Sequence, residues 1–273
     1  MNKIAIAALM LAATATPSFC AGYDDLNVGI SYLNLRQYDN ALLWLDKAIA
    51  AGDLLPDQLR VAHLDRGLAY IGKTDGQKAL DEFTAAIAAE PGNLTGYYER
   101  ISIYFANGQL DNALADFNTL NRLRPQDYLT LMNIGRLNWY LGHPEASAAA
   151  FESFSTSSTL AWIWLQLANV RLGKKAGNFP ENSAAGSWPG PIARFYAGNI
   201  SEAELLKIAA GEKYEAAVCE GNLFAGLWRR VQDDQAGARP LLEAALKSCG
   251  QDTNNWYAAR NELNRMKPAG DAP

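Results

Sequence analysis

The chain has 273 residues, of which 49% are hydrophobic and 19% are charged. That balance is typical of a globular protein with a buried core and excludes a largely disordered chain. The net charge of −5 is spread along the sequence without a block of Lys and Arg, which a duplex-binding protein needs to displace counterions. We therefore expect no nucleic-acid partner.

Residues 1–20 predict a secretory signal peptide, with Lys3 at the positive end and an apolar run over 4–15. This run is too short for a transmembrane helix, which needs about twenty residues. We therefore expect an exported, periplasmic protein. Two possibilities stay open for Cys20: ordinary cleavage that yields a free protein, or a lipid on Cys20 that anchors the chain to the outer membrane. Pro17 and Phe19 fit a lipoprotein cleavage box poorly.

A period of 34 residues runs through the middle of the chain, where it separates Gly67, Ile101 and Gly135. The same shift superimposes Tyr70 on Tyr104, Ala79 on Ala113, Phe83 on Phe117 and then Phe151, and Pro91 on Pro125. A small residue followed by Tyr, Ala, Phe and Pro at these offsets is the tetratricopeptide (TPR) pattern. The sequence therefore predicts an all-α TPR solenoid of antiparallel helix pairs.

Extending the register predicts about five recognisable repeats plus one irregular repeat. Four repeats fall over 22–161, and an irregular segment over 162–218 contains helices near 160–172, 192–196 and 202–210. A final repeat and a C-terminal capping helix occupy 219–267, and 268–273 is predicted to be a disordered tail. Stacking is required because a single TPR unit cannot bury its own apolar face.

Cys219 and Cys249 fall near the two ends of the final helix pair. An antiparallel pair brings such ends side by side, within the Cα separation that a disulfide requires. Because exported proteins form disulfides readily, we expect this bridge. Two unpaired buried thiols are the alternative.

The irregular segment carries a more specific resemblance. The run Trp188-Pro189-Gly190-Pro191-Ile192, followed by Phe195-Tyr196-Ala197-Gly198-Asn199-Ile200-Ser201-Glu202, resembles the NlpI-like family of bacterial envelope TPR proteins. The resemblance implies a periplasm-facing, often lipid-anchored homodimer. It also implies an adaptor that links a processing protease with peptidoglycan hydrolases. The alternative is an assembly factor or pilotin-like helper for an outer-membrane or secretion complex.

The concave surface of a TPR array is lined by fixed positions of the first helix in each pair. These positions are largely apolar and aromatic here, which predicts a groove that binds an extended or helical peptide by side-chain burial. The predicted groove residues are Leu64, Leu68, Ile71, Tyr98, Phe105, Met132, Arg136, Trp139 and Tyr140. A second hypothesis stays open: the irregular segment around Trp188, or a second copy of the chain, fills the groove.

No catalytic or metal-binding motif is recognisable. His63 and His143 lie in different repeats, and neither has a partner at a metal-ligand spacing. We therefore expect a protein that is not an enzyme and has no cofactor or metal.

Overall fold

The computed structural model describes residues 21–179, 186–251 and 253–266, and within these ranges the regular secondary structure is entirely α-helical. The predicted signal peptide, Cys20 and the predicted tail at 268–273 lie outside these ranges. Among the described helices, none combines the length and the apolar character that crossing a membrane requires.

The chain divides into two compact units, Met1–Ile103 and Tyr104–Pro273. The described helices of the first unit are α1 (Ala21–Asn34), α2 (Tyr38–Ala51), α3 (Pro56–Gly72), α4 (Gly76–Ala89) and most of α5 (Thr95–Ala106). Those of the second are α6 (Leu110–Leu123), α7 (Tyr128–Leu141), α8 (Pro144–Glu152), α9 (Thr159–Arg171), α10 (Gly190–Tyr196), α11 (Glu202–Gly211), α12 (Ala217–Val231), α13 (Gln235–Ser248) and α14 (Asn254–Arg265).

Glycines of the TPR pattern lie where the two helices of a pair cross. A Cβ atom on Gly67 would stand 2.4 Å from Cε1 of Phe83, and one on Gly135 would stand 2.4 Å from Cζ of Phe151. The same close approach, at 2.8 Å, relates Gly29 to Leu45 and Gly226 to Leu242. In each pair the bulky residue follows the glycine by sixteen positions, so the helix pairs cross where the repeat places its small residues.

An aromatic cluster centred on Trp164 forms the core of the second unit. The Trp164 ring lies 6.2 Å from that of Trp139 in α7, 6.1 Å from that of Phe151 in α8 and 5.4 Å from that of Phe224 in α12. Because α9 is apolar on nearly every side, it packs as a buried helix between its neighbours.

Helices α10 and α11 pack against α12 through aromatic and ionic contacts. The Tyr196 ring stacks on Trp228 at 4.2 Å, and its hydroxyl donates a hydrogen bond to the Phe224 carbonyl at 2.8 Å. Arg229, at a position where the repeat expects Tyr, donates instead to Glu202 of α11 at 2.6 Å and to Asp234, the N-cap of α13, at 2.5 Å. An ion-pair network thus replaces the usual aromatic contact.

The disulfide predicted between Cys219 and Cys249 is confirmed, with the two Cα atoms 4.8 Å apart. Helix α14 follows this bridge, and Thr253 caps its start by accepting a hydrogen bond from the Trp256 amide at 3.2 Å. Helix α14 packs against α12 and α13 and also contacts α7.

Candidate protein-binding surfaces

In the first unit, three of the predicted groove residues present exposed apolar surface. Leu68 and Ile71 are 37% and 43% exposed, and Tyr98 is 43% exposed. Leu68 and Ile71 are three residues apart in α3, so they share one face of the helix. We call this the α3 face.

Leu64 belongs to the core of the same unit, which corrects its assignment to an accessible groove. It packs in a cluster with Ala79, Phe83, Ala86 and Ile103. Phe83, which stands opposite Gly67 at the helix crossing, belongs to the same cluster, so Leu64 packs with the buried side chains of that crossing. The α3 face therefore begins one turn later, at Leu68.

In the second unit, the predicted groove residues of α7 are largely covered. Trp139 is fully buried, and Met132 and Tyr140 are only 5% exposed, so these three do not offer an open surface. Trp164 covers two of them, because its ring contacts those of both Trp139 and Tyr140 edge to face. Phe105 is half-buried and lies 6.2 Å from the Phe117 ring.

Arg136 stays partly accessible in a shallow depression of the second unit. Its guanidinium lies 5.7 Å from the centre of the Trp164 ring, a cation–π distance. Leu160, Glu220, Phe224 and residues 253–255 line the same depression. Glu220 accepts hydrogen bonds from Trp188 Nε1 at 2.5 Å and from Asn255 Nδ2 at 3.3 Å. Trp188 therefore packs at the start of α12. Helix α14 contacts α7, the helix that carries the predicted groove residues of this unit.

A cluster that sequence reasoning missed lies beneath α14, and we call it the arginine pocket. It is formed by Trp139, Arg171 and Arg230, which stand in the last turns of α7, α9 and α12. The guanidinium of Arg171 lies 4.2 Å from the centre of the Trp139 ring. Burial lowers the pKa of Arg171, and attraction from Glu262 opposes that shift.

The carboxylate of Glu262 enters the arginine pocket from α14 and is fully buried. Its Oε2 atom lies 3.6 Å from Arg230 Nε and 3.9 Å from Arg171 Nη2, while Oε1 accepts a hydrogen bond from Arg265 Nη1 at 3.1 Å. One signal for this residue was available in the sequence. Ala258, Glu262 and Met266 are spaced by four, so Glu262 falls on the buried stripe of an amphipathic helix.

The two histidines have structural surroundings. His63 shares a hydrogen bond of 2.8 Å with Glu82, which also pairs with Arg66 at 2.8 Å, and His143 precedes α8. Burial would raise the pKa of Glu82, but the hydrogen bonds from His63 and Arg66 outweigh it and hold that pKa below its ordinary value. In the part of the chain that the structure describes, no three His, Cys, Asp or Glu residues lie together in a way that could hold a metal ion.

No protein-family model matches the chain. Among solved structures, it is similar to the C-terminal part of a TPR repeat-containing protein from Cytophaga hutchinsonii, with 15% identity, a TM-score of 0.51 and 88% of each chain covered. It is also similar to a TPR protein from Parabacteroides merdae, with 16% identity, a TM-score of 0.52 and coverage of 89% of this chain and 99% of that one. The pilF protein of Pseudomonas aeruginosa aligns at 14% identity over 89% and 97% of the two chains, with a TM-score of 0.44 that is too low to support an argument.

At these identities the likeness shows the fold alone, and it confirms the predicted class, an all-α TPR solenoid. Repeat folds of this kind present extended surfaces that bind other proteins.

Proposed function

We propose that this protein is a non-catalytic adaptor of the bacterial cell envelope that binds protein partners through the α3 face. The observation that carries the proposal is that Leu68 and Ile71, both exposed, stand three residues apart and share one face of α3. Large apolar side chains side by side on one helix face favour a partner that covers them, because that burial removes apolar surface from water.

Envelope location is part of the same proposal and rests on two observations. The apolar run over 4–15 has the form of a signal peptide, and the Cys219–Cys249 bridge suits an oxidising compartment. Lipidation of Cys20, with anchoring to the outer membrane, and a homodimeric state extend the proposal through the resemblance to the NlpI-like family.

The partner classes in the proposal are an envelope protease and cell-wall hydrolases, which the adaptor would bring together. The segment Phe195–Glu202 supports this assignment through its likeness to the NlpI-like family. In the structure this segment is packed on α12 through Tyr196, so it has a structural role beside any role in recognition.

Site-specific photocrosslinking in living cells tests the proposal. A photoreactive amino acid replaces Leu68 on the α3 face, and the control carries it at Leu43, which is 52% exposed on α2 in the same unit. We expect crosslinks from position 68 to an envelope protease or hydrolase and none of these from position 43. Identical crosslinking patterns from both positions would refute the α3 face as the binding surface, and adducts with secretion-complex subunits alone would favour the assembly-helper hypothesis.

A further inference from the structure

The arginine pocket holds its carboxylate with incomplete hydrogen bonding. Within the described residues, Glu262 Oε2, Arg230 Nε, Arg171 Nη1 and Trp139 Nε1 are buried without a hydrogen-bond partner. The distances of 3.6 and 3.9 Å from Glu262 to the two arginines are those of ion pairs rather than hydrogen bonds. A buried charge is stabilised fully only when it is both paired and hydrogen-bonded. Arg171 and Arg230 therefore keep hydrogen-bond donors that Glu262 leaves unused and that a better-placed carboxylate could accept from.

Helix α14 buries one charge in this contact. The fully buried side chains within the helix are Ala258, Ala259 and Glu262, and the half-buried apolar ones are Trp256, Tyr257 and Leu263. Glu262 is the one charged side chain that the helix buries fully, so the attachment of α14 depends in part on how well that charge is paired and hydrogen-bonded.

The chain connection also suits a helix that can be exchanged. Cys249 at the end of α13 is bonded to Cys219 at the start of α12, so the disulfide fixes the α12–α13 pair whether or not α14 is attached. Helix α14 begins five residues after Cys249, at Asn254. It can leave the pocket without opening that pair.

We propose that the arginine pocket is a recognition site for an acidic side chain on a helical segment of a partner protein, and that α14 occupies this site in the unbound chain through Glu262. The proposal rests on the proposed function as a protein-binding scaffold and adds a second surface to it. Helix α14 defines the ligand class: a helix with small residues on the facing side and one carboxylate among them. A partner helix with a better-placed carboxylate would satisfy Arg171 and Arg230 more completely and would displace α14.

The direct test uses a fluorescent synthetic peptide with the sequence of residues 253–266 as the probe. Its binding to the full-length chain is measured by fluorescence anisotropy for the natural sequence, for Glu262→Gln and for Glu243→Gln. Glu243→Gln is the matched control, because it removes an exposed carboxylate on α13 that lies 3.9 Å from Arg239. We expect at least ten-fold tighter binding of the probe to Glu262→Gln than to the natural chain or to the control. A second probe carries glutamine at the position of Glu262. It should bind the Glu262→Gln chain at least ten-fold more weakly than the first probe does.

A second variant keeps the test decisive if Glu262→Gln does not fold. Ala259→Gln enlarges a fully buried side chain of α14 and leaves Arg171 and Arg230 unchanged. It should release α14, seen as faster amide hydrogen exchange over 254–265 with unchanged exchange in α13, and it should bind the probe as Glu262→Gln does.

Three outcomes would overturn the proposal. The first is equal probe binding to all of the chains, and the second is equal binding of the glutamate and glutamine probes. The third is a natural chain that forms dimers which Glu262→Gln dissociates, because α14 would then belong to a second copy. The probe assay needs no natural partner, so a negative result in it does not contradict the proposed role of the α3 face. In the same way, a failure of crosslinking at position 68 does not contradict the proposed role of the arginine pocket.

Discussion

Replacing Gly67 by Ala tests the packing rule on which the helix pairs depend. The new Cβ atom would lie 2.4, 2.8 and 3.0 Å from three carbon atoms of the Phe83 ring, which is fully buried. Overpacking of this kind costs about 1–3 kcal/mol, and the upper half of that range applies to so close an approach. The better helix propensity of Ala returns about 1 kcal/mol. The expected net loss in the free energy of unfolding is about 1–2 kcal/mol, or about 3–6 °C in Tm.

The matched control is Gly76→Ala in the same unit. Gly76 is the first residue of α4, and a Cβ atom there has no neighbour within 4 Å. This variant should be as stable as the natural chain or slightly more stable, because Ala restricts the unfolded chain. Thermal and urea unfolding followed by circular dichroism compare the two variants. A Gly67→Ala variant as stable as Gly76→Ala would refute the close crossing of α3 and α4.

Two further predictions concern charge and covalent structure. Burial raises the pKa of Asp65 to about 6 from an ordinary value of 3.8, so the folded state holds that proton more tightly than the unfolded state, and stability falls as the pH rises through this window. Asp65→Asn should therefore be more stable than the natural chain at pH 7.5, by about 1–3 kcal/mol after allowance for solvent screening. This gain in the free energy of unfolding should shrink towards pH 4. Urea unfolding measures it, and a gain that does not depend on pH would contradict the prediction. Replacing both Cys219 and Cys249 by Ala removes a cross-link with a sequence separation of 30 and should lower the free energy of unfolding by about 3–4 kcal/mol. An unchanged unfolding midpoint under oxidising conditions would contradict this prediction.

The parts of the fold that obey the repeat could be predicted from sequence. Gly67 and Gly135 with their partners sixteen residues later indicated the helix pairs, because each repeat requires a small residue opposite a large one at the crossing. The disulfide could be predicted for a similar reason, since the ends of an antiparallel pair are adjacent. The helix predicted near 202–210 inside the irregular segment corresponds to α11, which Ser201 caps by accepting a hydrogen bond from the Glu204 amide at 3.2 Å.

The accessibility of the groove could not be predicted in the same way. The register places Trp139 on the concave side of α7, but it carries no information about Trp164 and α14, which cover that residue from outside its own repeat. For the same reason, truncating Trp139 would open a cavity in the core and would not report on partner binding. Glu262 lies in a helix that has no repeat partner, so only its spacing from Ala258 and Met266 indicated burial.

The central claim is that the α3 face binds a protein partner. It is tested most directly by titrating the partner identified by crosslinking, once purified, against the double variant Leu68→Ser with Ile71→Ser in isothermal calorimetry. Leu43→Ser is the control. Each large apolar side chain buried on binding contributes about 1.5–3 kcal/mol at most, so the double variant should bind at least ten-fold more weakly while the control binds normally. An affinity of the double variant equal to that of the control, with the helical content of both unchanged, would contradict the claim.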